Sequence, residues 1–275
     1  MDSTQRSASG IAYQQLRADG TDPVVLIGGY GEPMLAWEFS SLPQRISDTG
    51  RRVIWYAARG VAPSVAPQLP WAIDDLVEDL LTLLDELGIE KATLVGYSLG
   101  GFTAHRFAQL HPERLQRVVL MGSAGAPSAV AKALTDAEVS FAHTGGVPPA
   151  FGRLTTLMSS LSSIELTDPA IVEQWVGMLE HLPDVWASLD GERGQAEAAQ
   201  GWIHGWSDDG SWPAGVELGI IAFEWDILCT ARSAREFAER RSQARLRVID
   251  GVGHAGLLTA PEPTIDALMD LIAPP

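Results

Sequence analysis

Short apolar runs alternate with longer amphipathic stretches through the first half of the chain and again near its end. Val24-Val25-Leu26-Ile27 is a continuous apolar run of the kind that suits a strand covered on both faces, and it predicts a strand over 23–28. Similar runs predict strands over 52–56, 92–95, 114–121, 216–223 and 244–249, with an edge strand over 11–16. Between 71 and 87, Ile73, Leu76, Leu80, Leu81, Leu84 and Leu87 recur at helical spacing with acids between them, and Gly88 stops the run. Further helices are expected over 37–47, with Pro43 as a breaker, and over 102–110, 231–241 and 261–272.

The alternation stops after Gly122. From about 125 to 213 the chain reads as helices and loops without a clean strand, and it holds Trp175, Trp186, Trp202, Trp206 and Trp212. The expected fold class is therefore α/β: a mostly parallel central sheet with helices on both faces, formed by 1–124 and 214–275 and interrupted by a helical insertion over 125–213.

Composition narrows the possible partners. At 275 residues and 46% hydrophobic, the chain can bury a sizeable core. A net charge of −16 argues against nucleic acid and anionic membrane surfaces. The single cysteine, Cys229, excludes an intramolecular disulfide and fits a reducing compartment. Met1–Gly10 is polar and lacks the apolar centre of a secretory leader, and no stretch approaches a membrane span. A cytoplasmic protein with a small-molecule substrate is expected; nothing in the pattern sets an oligomeric state.

One stretch carries chemistry. The run ending at Val95 leads into Gly96-Tyr97-Ser98-Leu99-Gly100-Gly101, and a helix is expected from Phe102. A strand, a tight turn bearing a serine and a helix form a nucleophile elbow. The turn exposes the serine hydroxyl, the small glycines let strand and helix pass close together, and the Leu99 N–H points where an oxyanion would form. A second donor is expected from Gly28-Gly29-Tyr30-Gly31 after the 23–28 strand: the Tyr30 N–H, with Gly29 beside the substrate.

An exposed serine needs a base, and the base needs an orienting acid. For this elbow the chain order is serine, acid, histidine. Asp226 follows Ile220-Ile221-Ala222-Phe223 just past a strand's end and fits the acid, with Glu224 and Asp250 as rivals. His254 lies in the glycine-flanked loop after Ile249 and fits the base. There is no metal-ligand spacing, P-loop or dinucleotide fingerprint, so chemistry without cofactor or metal is expected.

These motifs resemble the α/β-hydrolase superfamily, in its esterase, haloperoxidase-like and epoxide-hydrolase-like branch. The elbow, His111-Pro112-Glu113-Arg114 after its helix, and Gly253-His254 carry the resemblance, which extends over about 23–272. It implies that 125–213 is a cap over the site, with Trp175 and Trp206 lining a substrate pocket. The sequence departs from the family at three places. Gly28-Gly29 stands where His-Gly is common, Ala57-Ala58 precedes Arg59-Gly60 in place of an acidic residue, and Thr230 replaces a frequent proline. The reading is a serine hydrolase acting on an ester, lactone or thioester of a largely apolar small molecule. The departures motivate two rivals: a non-hydrolytic lyase, isomerase or cyclase, and a ligand-binding receptor.

Overall fold

The computed structural model describes residues 4–182 and 184–273. The first three residues of the polar Met1–Gly10 segment, Pro183 of the insertion, and the last two residues lie outside the described residues. The chain begins with β1 (Gln5–Arg6), β2 (Ala12–Leu16), β3 (Thr21–Ile27), α1 (Leu35–Phe39), α2 (Leu42–Ser47) and β4 (Arg51–Tyr56). It continues through α3 (Ile73–Glu86), β5 (Ala92–Tyr97), α4 (Leu99–Leu110) and β6 (Leu115–Met121). Then come α5 (Ala129–Ala142), α6 (Pro149–Ser160), α7 (Pro169–His181) and α8 (Leu189–His204). The alternation resumes with β7 (Glu217–Phe223), α9 (Ala231–Glu239), β8 (Ala244–Ile249), α10 (Gly256–Thr259) and α11 (Pro261–Ile272).

The strands form one sheet in the order β1-β2-β4-β3-β5-β6-β7-β8. β1 and β2 pair antiparallel at one edge, and every pair from β4 to β8 is parallel. After β4 the chain crosses over β3 to lay down β5, so the winding reverses there. The carboxyl ends of β3 and β5 lie side by side at the reversal, with Ile27 opposite Gly96. In open α/β sheets ligands gather at such a switch point. The loop after β3 and the turn after β5 are therefore brought together by topology.

Alternation along each strand feeds two cores. Val25, Ile27, Leu94 and Leu120 face α3, α4 and α9, whereas Val24, Leu26, Val95 and Val119 face α1, α2 and α11. The expected 37–47 helix is two helices. The break comes at Ser40-Ser41, where Ser41 has φ 55°, and not at Pro43. Pro43 lies in the first turn of α2, where its missing N–H has no helical acceptor to lose.

Within the described residues of 125–213 no strand forms; α5 packs along α8. α8 approaches the core closely because it presents small residues. A Cβ on Gly191 would meet the Gly60 carbonyl oxygen at 2.5 Å, and one on Gly194 would overlap the Trp71 ring.

The glycines divide into two classes that mutation separates. A Cβ on Gly100 would overlap the backbone oxygen of Ile27, so Gly100→Ala is expected to destabilise by roughly 3 kcal/mol. Gly201 in α8 has open space around it, so Gly201→Ala is expected to stabilise by about 0.5–1 kcal/mol. Urea denaturation of both variants against wild type checks the contrast.

Candidate active site

Ser98 stands between β5 and α4 with φ 53° and ψ −119°, a backbone region that L-residues rarely occupy. The surroundings hold it there. Its N–H donates to the Met121 carbonyl at 3.0 Å, and its own carbonyl accepts from the N–H groups of Gly101 and Phe102 at 2.9 and 3.1 Å. Gly96 and Gly101 are equally confined: a Cβ on Gly96 would strike the Gly100 carbonyl, and one on Gly101 would strike the Ser123 side chain. The turn thus directs the Ser98 side chain away from the sheet, toward the loops that follow β3 and β8.

His254 comes from the loop after β8. Its Nε2 lies 3.0 Å from Ser98 Oγ, and its Nδ1 lies 2.7 Å from Asp226 Oδ2. Asp226 follows β7 and is 3% exposed. Its other oxygen accepts from the N–H groups of Leu228 and Cys229 at 2.8 and 2.9 Å. Three donors therefore surround this carboxylate, which compensates its burial. With a proton on Nδ1 directed at Asp226, Nε2 is free to accept the Ser98 hydroxyl proton. The rival acids are placed elsewhere: Glu224 Oε2 accepts the Gly251 N–H at 2.8 Å, and Asp250 is exposed.

The loop after β3 brings a series of backbone N–H groups alongside. Gly29 donates to Glu32 Oε2 at 2.5 Å, and Gly31 donates to Gln195 Oε1 at 3.0 Å. Between them, the Tyr30 N–H has no acceptor among the described residues, nor has the Leu99 N–H at the start of α4. Gly29 lies against the serine: a Cβ there would sit 3.3 Å from Ser98 Cβ. The Tyr30 ring meets Trp186 edge-on at 5.0 Å. Burial and the nearby carboxylates of Glu138 and Glu192 push its hydroxyl upward, and that hydroxyl has no hydrogen-bond partner among the described residues.

The two tryptophans expected to line the pocket are placed differently. Trp206 packs with His105, Trp202 and Phe237 and borders an outer recess of about 420 Å³ between α3, α4 and α8. His105, which the Trp206 ring meets at 5.5 Å, lies seven residues beyond Ser98 on the helix that follows it. Trp175 is buried with Leu161 and Ala255 and backs the loop that carries His254. A separate recess of about 310 Å³, bordered by Arg117, Gly219 and Gln243, lies at the opposite ends of the strands.

Four further residues support this geometry. Glu32 and Gln195 hold the N–H groups on either side of Tyr30. The Tyr97 hydroxyl donates to the His254 carbonyl at 3.0 Å. Glu165 Oε2 accepts from the Ser162 and Gly253 N–H groups at 2.6 and 3.2 Å. Ser162-x-x-Glu165 is legible as a capping box, and Glu32 follows Gly29 at the same three-residue spacing. Neither pattern indicates the distant loop that Glu165 reaches. Thr230 has taken up a local task, since its Oγ1 caps α9 by accepting the Ser233 N–H at 3.2 Å.

Residues 22–144 match the family model described as the alpha/beta hydrolase fold. BpoC of Mycobacterium tuberculosis, named as a candidate non-heme bromoperoxidase, is 26% identical over 257 residues, covering 92% of this chain and 94% of that protein. Its crystal structure matches with a TM-score of 0.81 at 25% identity, over 97% of this chain and 96% of that one. The 2-hydroxymuconate semialdehyde hydrolase of Pseudomonas sp. strain CF600 is 36% identical over 152 residues, 55% of this chain and 51% of that protein. The enol-lactonase of Burkholderia xenovorans LB400 shares the fold, with a TM-score of 0.77 at 22% identity over 96% and 97% of the two chains. The chain has the α/β-hydrolase fold, with residues 22–144 carrying the match to that family's model, and hydrolases are among the proteins it is similar to. No helix among the described residues is long and apolar enough to cross a membrane.

Two carboxyls near the site make stability depend on pH. Burial pushes Glu32 up to about 7 from an ordinary 4.5, against the opposing pull of the Gly29 N–H and of His254. Burial and then the neighbouring Glu192 push Glu138 up to about 7. Between the unfolded and folded values the native state holds more protons, so this contribution is full below about 4.5 and is lost as pH rises through 7. The melting temperature is expected to fall by a few degrees, on the order of 1–2 kcal/mol, between pH 5 and pH 8. A Glu32→Gln/Glu138→Gln double variant should show a shallower fall in the same fluorimetric melts.

Proposed function

We propose that the protein is a serine hydrolase that cleaves an ester, lactone or thioester of a largely apolar small molecule through an acyl-enzyme. The observation that carries this reading is the continuous chain from Ser98 Oγ to His254 Nε2 at 3.0 Å and from His254 Nδ1 to Asp226 Oδ2 at 2.7 Å. In this mechanism His254 takes the hydroxyl proton as Ser98 attacks the carbonyl carbon. Asp226 stabilises the imidazolium, and the uncommitted Tyr30 and Leu99 N–H groups bind the oxyanion. His254 then protonates the leaving group. A water activated by the same imidazole attacks the acyl-enzyme and releases the acid. Each oxyanion donor contributes on the order of 3 kcal/mol of barrier reduction.

In the same reading, residues 125–213 serve as the cap, and the reaction runs without a cofactor. Glu138, pushed up to about 7, is partly protonated near neutral pH and adds less charge to the wall beside Tyr30 than an ordinary carboxylate. That favours a substrate that is largely apolar. Similarity to a semialdehyde hydrolase supports hydrolysis of a small carbonyl compound over a receptor role.

Mass spectrometry after incubation with a fluorophosphonate is expected to find one adduct, on Ser98, in wild type and none in His254→Ala. With a short-chain p-nitrophenyl ester, Ser98→Ala should lower kcat by on the order of 10⁶ and Asp226→Asn by on the order of 10⁴. Turnover that survives Ser98→Ala would point instead to non-hydrolytic chemistry in the same fold.

A further inference from the structure

Gln195 lies on α8, in the inserted segment, yet it is fully buried and both ends of its amide are committed to the core. Its Oε1 accepts the Gly31 N–H at 3.0 Å, and its Nε2 donates to the Arg59 carbonyl at 2.8 Å. A side chain with no exposure and two long-range hydrogen bonds has one available geometry. What it touches gives that geometry a consequence. Gly31 directly follows Tyr30, whose N–H has no acceptor among the described residues, and Gly29 on its other side lies against Ser98. The peptide orientation at Tyr30 is therefore bounded on one side by Glu32, through Gly29, and on the other by Gln195, through Gly31.

The far end of the amide is anchored to a rigid support. The Arg59 guanidinium forks onto Asp79 of α3 at 2.6 and 2.8 Å and lies over the Trp71 ring at 5.5 Å. Gly60 and Gly191 let α8 approach this loop closely, because a Cβ on Gly60 would sit 2.8 Å from Gly191 Cα. Backbone bonds add a second connection on the same side: Ala62 N–H to the Val185 carbonyl at 2.8 Å, and Ala187 N–H to the Gly60 carbonyl at 2.9 Å. Trp186, between these two residues, packs on Tyr30. A Cβ on Gly31, where φ is +62°, would meet the Trp186 ring at 2.9 Å. Gln195 adds a side-chain hydrogen bond from the insertion to the backbone of the loop itself.

We infer that Gln195 is a positioning residue for the oxyanion site: by accepting the Gly31 N–H it fixes the Tyr30–Gly31 peptide, and with it the backbone of Tyr30, whose own N–H on the preceding peptide would meet the reacting carbonyl. The inference rests on the serine hydrolase reading above. It assigns the insertion a role in the chemical step in addition to covering the site. An N–H that is displaced or free to rotate stabilises the charge that develops on the carbonyl oxygen, and much less the ground-state ester. The loss should therefore fall on kcat and leave KM nearly unchanged.

The test compares wild type, Gln195→Met and Gln195→Glu with a short-chain p-nitrophenyl ester and with a boronic acid that mimics the tetrahedral adduct. Gln195→Met fills similar volume and removes both hydrogen bonds. It is expected to lower kcat about 30-fold with KM within about two-fold, and to weaken boronic acid binding by a similar factor. Gln195→Glu keeps an acceptor for Gly31 and should recover most of the loss, so it also serves if the methionine variant does not fold. Arg193→Ala, on the same helix, should leave kcat unchanged. A melting temperature that falls in Gln195→Met while kcat and boronic acid affinity hold would overturn the inference and leave Gln195 as a structural brace. A loss of kcat in Arg193→Ala equal to that in Gln195→Met would also overturn it, because the effect would then belong to the whole helix. Wild-type labelling on Ser98 separates the two failures. If Ser98→Ala retains turnover, the hydrolase reading fails and the inference fails with it; if wild type labels and Gln195→Met retains kcat, the inference fails alone.

Discussion

The turn at Ser98 is the constraint on which the rest of the arrangement depends. A serine at φ 53° is strained by about 1–3 kcal/mol, and such strain persists only where the surroundings over-determine it. Here the N–H is held by β6, the carbonyl by the first turn of α4, and the flanking glycines admit no side chain. The contact that decides the layout is between Gly100 and the carbonyl of Ile27, because it presses the start of α4 against the end of β3. That contact places the loop after β3 beside the serine. A turn relaxed into ordinary backbone geometry would lose the direction of the side chain and the neighbouring N–H groups together.

The inserted helices hold both loops that meet Ser98. On one side the Ser160–Glu165 turn holds the His254 loop: Ser160 accepts the Ala255 N–H at 2.9 Å, Ser162 Oγ donates to the Gly251 carbonyl at 3.1 Å, and Glu165 accepts the Gly253 N–H. Gly253 is needed for this, since a Cβ there would meet the backbone of Leu161 and Ser162 at 2.5 Å. On the other side Gln195 and Trp186 hold the loop after β3. Movement of these helices would therefore act on the His254 loop and on the loop that carries Tyr30 together.

How far the chain was legible depends on how local each signal is. Strands β3, β5, β6 and β7 are continuous apolar runs because both their faces are covered, and the expected ranges match them closely. β1 is two residues long and polar, and α10 is a single turn, so neither has a periodicity to read. The 37–47 stretch shows the limit of a local rule: proline breaks helices in general, but Pro43 here opens one, and Ser41 makes the turn. The candidate serine, acid and histidine were readable from motif and chain order, and the structure brings them within hydrogen-bonding distance. The tryptophans of the insertion were not readable in the same way. An aromatic side chain fits a pocket wall and a core equally well, and Trp206 lies among His105 and Phe237.

By itself the sequence determined the alternation of strands and helices, the elbow, and the candidate serine, acid and histidine. All of these follow from periodicity or from spacing within a few residues. Only the tertiary structure decided that Glu32, Tyr97, Glu165 and Gln195 support the site. Gln195 and Gly31 are 164 positions apart, and Glu165 and Gly253 are 88. A hydrogen bond across such a separation leaves no mark on local pattern, because it exists only after the sheet has closed and the inserted helices have packed against its carboxyl edge.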